Sequence, residues 1–201
     1  MNKTLESIME ATQPMVEWND LVVESYILNA LFNHSDTKIL ELGAGNGGWC
    51  KALTRLGLYA PAWTLVEDFR WAENNTKSGW ACDEKELIAS IHSIYPPPKI
   101  DRVFRNVDRV IEQGDTFDVI RVDFDIDQNV LRDLVEHQLD SDGLLFMDDT
   151  KMNCGFYRIA LVFDLILSGK IYPVWLGEKE CVFSPTPRYT LRLSSGIHQV
   201  V

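Results

Sequence analysis

Between Lys38 and Ser184 the chain alternates short apolar runs with stretches whose apolar residues recur at helical spacing. KILEL reads as a strand that runs into GAGNGG, and WCKALTRLG continues as a helix. AWTLVE is the next strand, followed by a helix from Asp83 to Ile94 that YPPP stops, because proline cannot continue it. DRVFRN reads as a strand and DRVIEQG as a short helical turn. FDVIRVD is a strand, and Gln128 to Leu139 an amphipathic helix. GLLFMDD is a strand, and Gly155 to Leu167 an apolar helix. YPVWLG and ECVFS precede a turn at SPTPR and then RYTLRLS, and these last pieces read as an antiparallel pair. Upstream, Leu5 to Asn33 keeps helical spacing broken near Pro14, which predicts two helices, the second over roughly Asn19 to Phe32.

Strands alternating with helices predict an α/β fold, with a mostly parallel sheet covered on both faces. Ligands in such folds sit at the carboxyl ends of the strands. The 201 residues suit a single domain, with residues 1–36 as N-terminal helices that could form a lid and 37–201 as the core.

Composition narrows the partners. A formal net charge of -11 argues against a phosphate backbone or an anionic membrane surface as partner. The expected partner is a small molecule, neutral, cationic or held through a bridging cation; homo-oligomerisation is left open. No apolar run reaches the ~20 residues needed to cross a bilayer, and the N-terminus lacks the apolar core of a secretory signal. Cys50, Cys82, Cys154 and Cys181 are widely spaced and form no metal motif, so reduced thiols in the cytoplasm are expected. His34, His92, His137 and His198 are equally scattered.

The loop ILELGAGNGG carries the first candidate chemistry. Gly43, Gly45 and Gly47 permit positive φ and let a ligand approach the backbone, with Ala44 and Asn46 between them. Gly43, Gly45 and Gly48 also satisfy the dinucleotide pattern GxGxxG. Glu67 ends the strand AWTLVE, 24 residues after Gly43, where a carboxylate can accept hydrogen bonds from both ribose hydroxyls. Asp68 is the alternative for that role. Trp49, directly after the loop, is the best aromatic candidate for cofactor contact. An adenine would lie around Asn106 to Asp108, after the third strand.

The stretch RVDFDID carries the second. Asp123 and Asp125 would share a face if the strand persisted to its end, and Asp148-Asp149 closes the next strand. If the two strands are neighbours, these carboxylates converge at one rim. They cannot all stay ionised without a counter-charge, which a hard divalent cation would supply through oxygen ligands. Asp127 reads instead as the cap of the helix that follows.

These motifs carry a resemblance. Glu41, two residues before the first glycine, matches the (D/E)xGxGxG signature of class I S-adenosylmethionine-dependent methyltransferases, where the acid helps place the cofactor's charged amino acid end. RVDFD and FMDD resemble the macrocin O-methyltransferase family, metal-dependent enzymes that methylate sugar hydroxyls. The resemblance implies a Rossmann-like seven-stranded sheet with a C-terminal antiparallel strand pair. It implies S-adenosylmethionine held by Glu41, the loop from Gly43 to Gly47, Trp49, Glu67 or Asp68, Asn106 and Asp123. It further implies Mg²⁺ on Asp123, Asp148 and Asp149, and Asp125 as the base. The chain departs from the family in IDQN after RVDFD, where an aromatic residue is common, and in SDG, where a double glycine is usual.

Two other classes stay open from the residues alone. A nicotinamide-dependent oxidoreductase explains the GxGxxG overlap and Glu67 but leaves the acidic rim without a role. A cofactor-binding module without catalysis would fit the departures after RVDFD.

Overall fold

The computed structural model describes residues 18–69, 83–148, 156–177, 179–187, 191–194 and 197–200. Helices are α1 (Trp18–Leu31), α2 (Gly48–Arg55), α3 (Glu84–His92), α4 (Val107–Gln113), α5 (Gln128–Asp133) and α6 (Phe156–Leu167). Strands are β1 (Lys38–Leu42), β2 (Ala62–Val66), β3 (Lys99–Phe104), β4 (Phe117–Val122), β5 (Leu139–Met147), β6 (Tyr172–Leu176) and β7 (Cys181–Ser184). β8 (Leu191–Ser194) and β9 (Ile197–Val200) follow. The sheet is seven-stranded, ordered β3-β2-β1-β4-β5-β7-β6. Pairings β1/β4, β2/β3 and β4/β5 are parallel; β7 runs antiparallel to both β5 and β6. This is the mostly parallel sheet with an antiparallel C-terminal pair that the sequence predicts.

Contacts divide the chain into two compact units, one built on residues up to 37 together with 43–107, the other on 38–42 with 108 onward. In the first, α1, α2, β2 and α3 bury Leu21, Leu28, Leu53, Leu65 and Ile91. Trp49 and Trp63 meet edge to face, ring centroids 5.4 Å apart. α3 begins at a capping box: the Asp83 side chain accepts from Glu86 N–H at 2.9 Å, and Glu86 accepts from Asp83 N–H at 3.0 Å.

In the second unit, β1, β4 and β5 read as near-continuous apolar runs because both of their faces are covered. Leu40, Ile120, Leu145 and Phe146 are fully buried there. β5 starts at Leu139, ahead of the expected GLLFMDD, and its pairing with β4 is irregular between Phe117 and Val119. Gly143 sits at that irregularity, where a Cβ would fall 2.7 Å from the Asp118 carbonyl oxygen. The single glycine of SDG is therefore required by close backbone approach.

Three expectations change. β4 ends at Val122, so the alternation that would place Asp123 and Asp125 on one face does not extend to them. The helix predicted over Gln128 to Leu139 is α-helical to Asp133 and finishes as a π turn over Leu134–Gln138; Asp127 caps it by accepting from Asn129 N–H. RYTLRLS contributes β8, which pairs with β9 in a separate two-stranded sheet. The first predicted helix, before Trp18, lies outside the described residues. Among the described helices none is long and apolar enough to cross a membrane. Cys50 and Cys181 are buried and not joined in a disulfide; Cys82 and Cys154 lie outside the described residues.

Candidate active site

In the first unit the candidate site grows from the turn after β1. Gly43, Gly45 and Gly47 all take left-handed backbone conformations, φ 88°, 53° and 76°. The two later glycines are needed for different reasons. A Cβ at Gly47 would fall 2.5 Å from Ile91 Cγ1 on α3, so this position packs the loop against a helix. A Cβ at Gly45 would meet nothing within 4 Å, so this position faces open space. The loop is also tied from α3 by Ser90, whose hydroxyl donates to the Asn46 carbonyl at 3.1 Å and accepts from Lys51 Nζ at 2.7 Å.

Glu67, the residue after β2, turns its carboxylate onto this loop: Oε2 accepts the Gly45 N–H at 2.7 Å. Asp68 follows, half-buried. Asn106 is exposed between β3 and α4, just after the third strand that the sequence predicts. Trp49, considered for cofactor contact, is 2% exposed; its indole N–H donates to Glu24 Oε2 at 2.6 Å, and its ring packs on Trp63. The structure gives it a packing role.

In the second unit the acids converge on a cation that sequence reasoning passed over. The last residues of β1, β4 and β5 are in register, and the ladder runs one step further. Asp123 N–H donates to the Leu42 carbonyl at 2.8 Å, and Asp148 N–H to the Val122 carbonyl at 3.0 Å. Arg121, on β4 and buried, reaches four acids. Its Nη1 lies 2.9 Å from Asp123 Oδ2 and 3.8 Å from Glu41 Oε1; Nη2 lies 3.3 Å from Asp148 Oδ2. Its Nε donates to Glu180 Oε1 at 2.9 Å. Lys179 Nζ stands 3.6 Å from Asp148 Oδ1. Glu41, expected to place a ligand's amino acid end, is 1% exposed and faces this guanidinium.

The electrostatics follow from burial. Desolvation pushes the Asp123 carboxyl up to about 7, against the pull of Arg121 and helped by the neighbouring Asp148 carboxylate. The same four acids hold Arg121 firmly protonated despite its burial. Asp123 is also the most open of the four, its side chain 27% exposed.

The proposed metal set is divided by this arrangement. Asp123 and Asp148 come together, but each turns an oxygen to Arg121; Asp149 lies outside the described residues. Among the described residues no group of three or more His, Cys, Asp or Glu side chains is arranged to hold a metal ion. Asp125, proposed as base, is exposed beyond the end of β4. Sequence reasoning missed Arg121 and Glu180. Arg121 was visible inside RVDFD as a cation on a buried strand; nothing local marked Glu180.

No protein-family model and no curated protein matches the sequence. Solved structures do resemble it. An O-methyltransferase from Bacillus cereus in complex with SAH aligns with TM-score 0.60 at 13% identity, over 91% of this chain and 90% of that one. The O-methyltransferase TomG from Streptomyces achromogenes, in complex with SAM, aligns with TM-score 0.58 at 11% identity, over 91% and 89%. The O-methyltransferase NovP aligns with TM-score 0.55 at 15% identity, over 90% and 79%. At such identities the likeness is one of fold.

Proposed function

We propose that the chain is an S-adenosylmethionine-dependent methyltransferase acting on a hydroxyl group of a small molecule, of the sugar or natural-product kind. One observation carries the reading: left-handed glycines opening onto free space at Gly45, with the Glu67 carboxylate directed at the same loop. The fold it shares with SAH- and SAM-bound O-methyltransferases supports it.

The loop fits this cofactor. Open space at Gly45 lets a nucleoside lie close to the backbone, and Glu67, at the end of β2, stands where ribose hydroxyls can donate to a carboxylate. When bound, the cofactor supplies an electrophilic methyl carbon on a sulfonium sulfur. The chain's own part is to position the acceptor hydroxyl and receive its proton. Within the second unit, taken by itself, Asp123 has the properties of a proton-accepting carboxyl. It is partly exposed, and a carboxyl near 7 holds and releases a proton at neutral pH. Arg121 acts on it as a positioning residue, fixing one oxygen at 2.9 Å.

The divalent cation expected at this rim is not part of the reading, because Arg121 supplies positive charge to the same oxygens. Turnover that collapses in EDTA and returns with Mg²⁺ would restore it, with Asp149 as the third donor. The cofactor reading is tested by calorimetry with S-adenosylhomocysteine and with NAD. Micromolar binding of the first and none of the second is expected; tight NAD binding alone would establish the oxidoreductase.

A further inference from the structure

Gly45 and Gly47 give the loop its left-handed turns but do not hold them, because glycine takes negative φ about as readily. Hydrogen bonds within the first compact unit hold them. Gly43 and Ala44 donate to the Val66 carbonyl at 2.9 and 3.2 Å, which fastens the start of the loop to β2. Gly45 N–H donates to Glu67 Oε2. The peptide group joining Asn46 to Gly47 is fixed at both ends. Its N–H donates to the Ala44 carbonyl at 2.7 Å, and its carbonyl accepts from the Ser90 hydroxyl at 3.1 Å.

Ser90 belongs to α3, 44 residues further along the chain than Asn46. Lys51 Nζ donates to its hydroxyl oxygen at 2.7 Å, which turns the hydroxyl proton away from the ammonium and toward the Asn46 carbonyl. The next residue, Ile91, stands where a Cβ on Gly47 would fall, so α3 bounds the loop by packing as well as by this bond. Without the Ser90 tie the Asn46–Gly47 peptide is able to rotate, and rotation carries the Gly47 N–H away from Ala44 too. One side chain thus secures two bonds.

We infer that Ser90 is a positioning residue: through the Asn46 carbonyl it holds the glycine loop in the shape that accepts a ligand. The inference rests on the cofactor reading above in taking this loop as the ligand's seat. A ligand that binds only the held shape loses affinity as the loop spends time in others. A hydrogen bond of this kind shifts such an equilibrium by about fivefold.

Calorimetry with S-adenosylhomocysteine on the wild type, Ser90→Ala, Ser90→Thr and Ala89→Gly tests this. Ser90→Ala should weaken binding by at least about threefold, and Ser90→Thr, which keeps the hydroxyl, should stay within about twofold of wild type. Ala89 is the exposed neighbour on α3, and Ala89→Gly weakens the helix to a similar degree while leaving the Ser90 hydroxyl in place. Its affinity should also stay within about twofold of wild type. Equal affinity in Ser90→Ala and the wild type overturns the inference, as does an equal loss in Ala89→Gly or in Ser90→Thr. A second arm needs no ligand. Hydrogen exchange followed by NMR should show the Gly47 amide exchanging about fivefold faster in Ser90→Ala, with Leu65 in β2 unchanged. Unchanged exchange at Gly47 overturns the inference. Failure of the wild type to bind S-adenosylhomocysteine, with faster Gly47 exchange in the variant, rejects the cofactor reading and leaves the positioning role standing.

Discussion

Arg121 and Glu180, 59 residues apart in the chain, meet through an Nε to Oε1 hydrogen bond of 2.9 Å, and both are almost fully buried. This contact anchors the guanidinium from behind, while its other two nitrogens face Asp123, Asp148 and Glu41. Breaking such a cluster by removing its one central cation leaves buried charge uncompensated. Arg121→Met should cost about 3–5 kcal/mol in urea unfolding, and Glu180→Gln less, about 1–2 kcal/mol. A loss under 1 kcal/mol for Arg121→Met would mean the cluster is solvated.

Asp123 should give the protein a pH-dependent weakness. Its folded carboxyl titrates at about 7, well above the ordinary range near 3.9 for an unfolded chain. Between these values the folded state holds the extra proton, so this group's contribution to stability falls as pH rises from about 4 to about 7. Asp123→Asn cannot titrate. Relative to that variant, measured in chelator, the wild type should lose on the order of 1–3 kcal/mol across the window. A difference independent of pH would place the carboxyl in the ordinary range.

The two glycines facing different surroundings should fail differently. At Gly47 an added methyl strikes Ile91, so Gly47→Ala should lose about 1–3 kcal/mol of stability through overpacking. At Gly45 there is room, and Gly45→Ala should cost about 1–2 kcal/mol through left-handed strain. Its larger effect should be on ligand binding, since the methyl projects into the open space. Calorimetry with S-adenosylhomocysteine beside thermal melts separates the two; equal affinity for Gly45→Ala and wild type would move the ligand off this loop.

Trp49 should behave as a core residue. Trp49→Phe removes the donor that Glu24 Oε2 accepts from, inside a fully buried setting, and should cost about 1–3 kcal/mol. A loss of cofactor affinity without loss of stability would return the indole to the ligand.

How much could be read in advance follows from the range of each interaction. Apolar runs such as KILEL and FDVIRV marked strands because both sheet faces are covered, and YPPP and Asp83 marked the ends of α3 by local backbone chemistry. The loop glycines were legible for the same reason: a left-handed turn is written in the residues that adopt it. Where β4 stops was not. The strand FDVIRVD reads to Asp123, with a face shared by Asp125 only if it runs on; β4 ends at Val122, with one further ladder bond from Asp123 N–H. Nor could spacing show that Trp49 turns inward, since that depends on Glu24 and Trp63.

The sequence alone determined the order of strands and helices, the glycine turn and the presence of acids at strand ends, because these depend on neighbours within a few residues. Tertiary structure alone decided what neutralises those acids. Arg121 lies two residues from Asp123 in the chain, but only the alignment of β1, β4 and β5 and the return of the chain at Glu180 set its nitrogens against four carboxylates. Charge at a buried site is settled by distances across the fold, and no local pattern carries those.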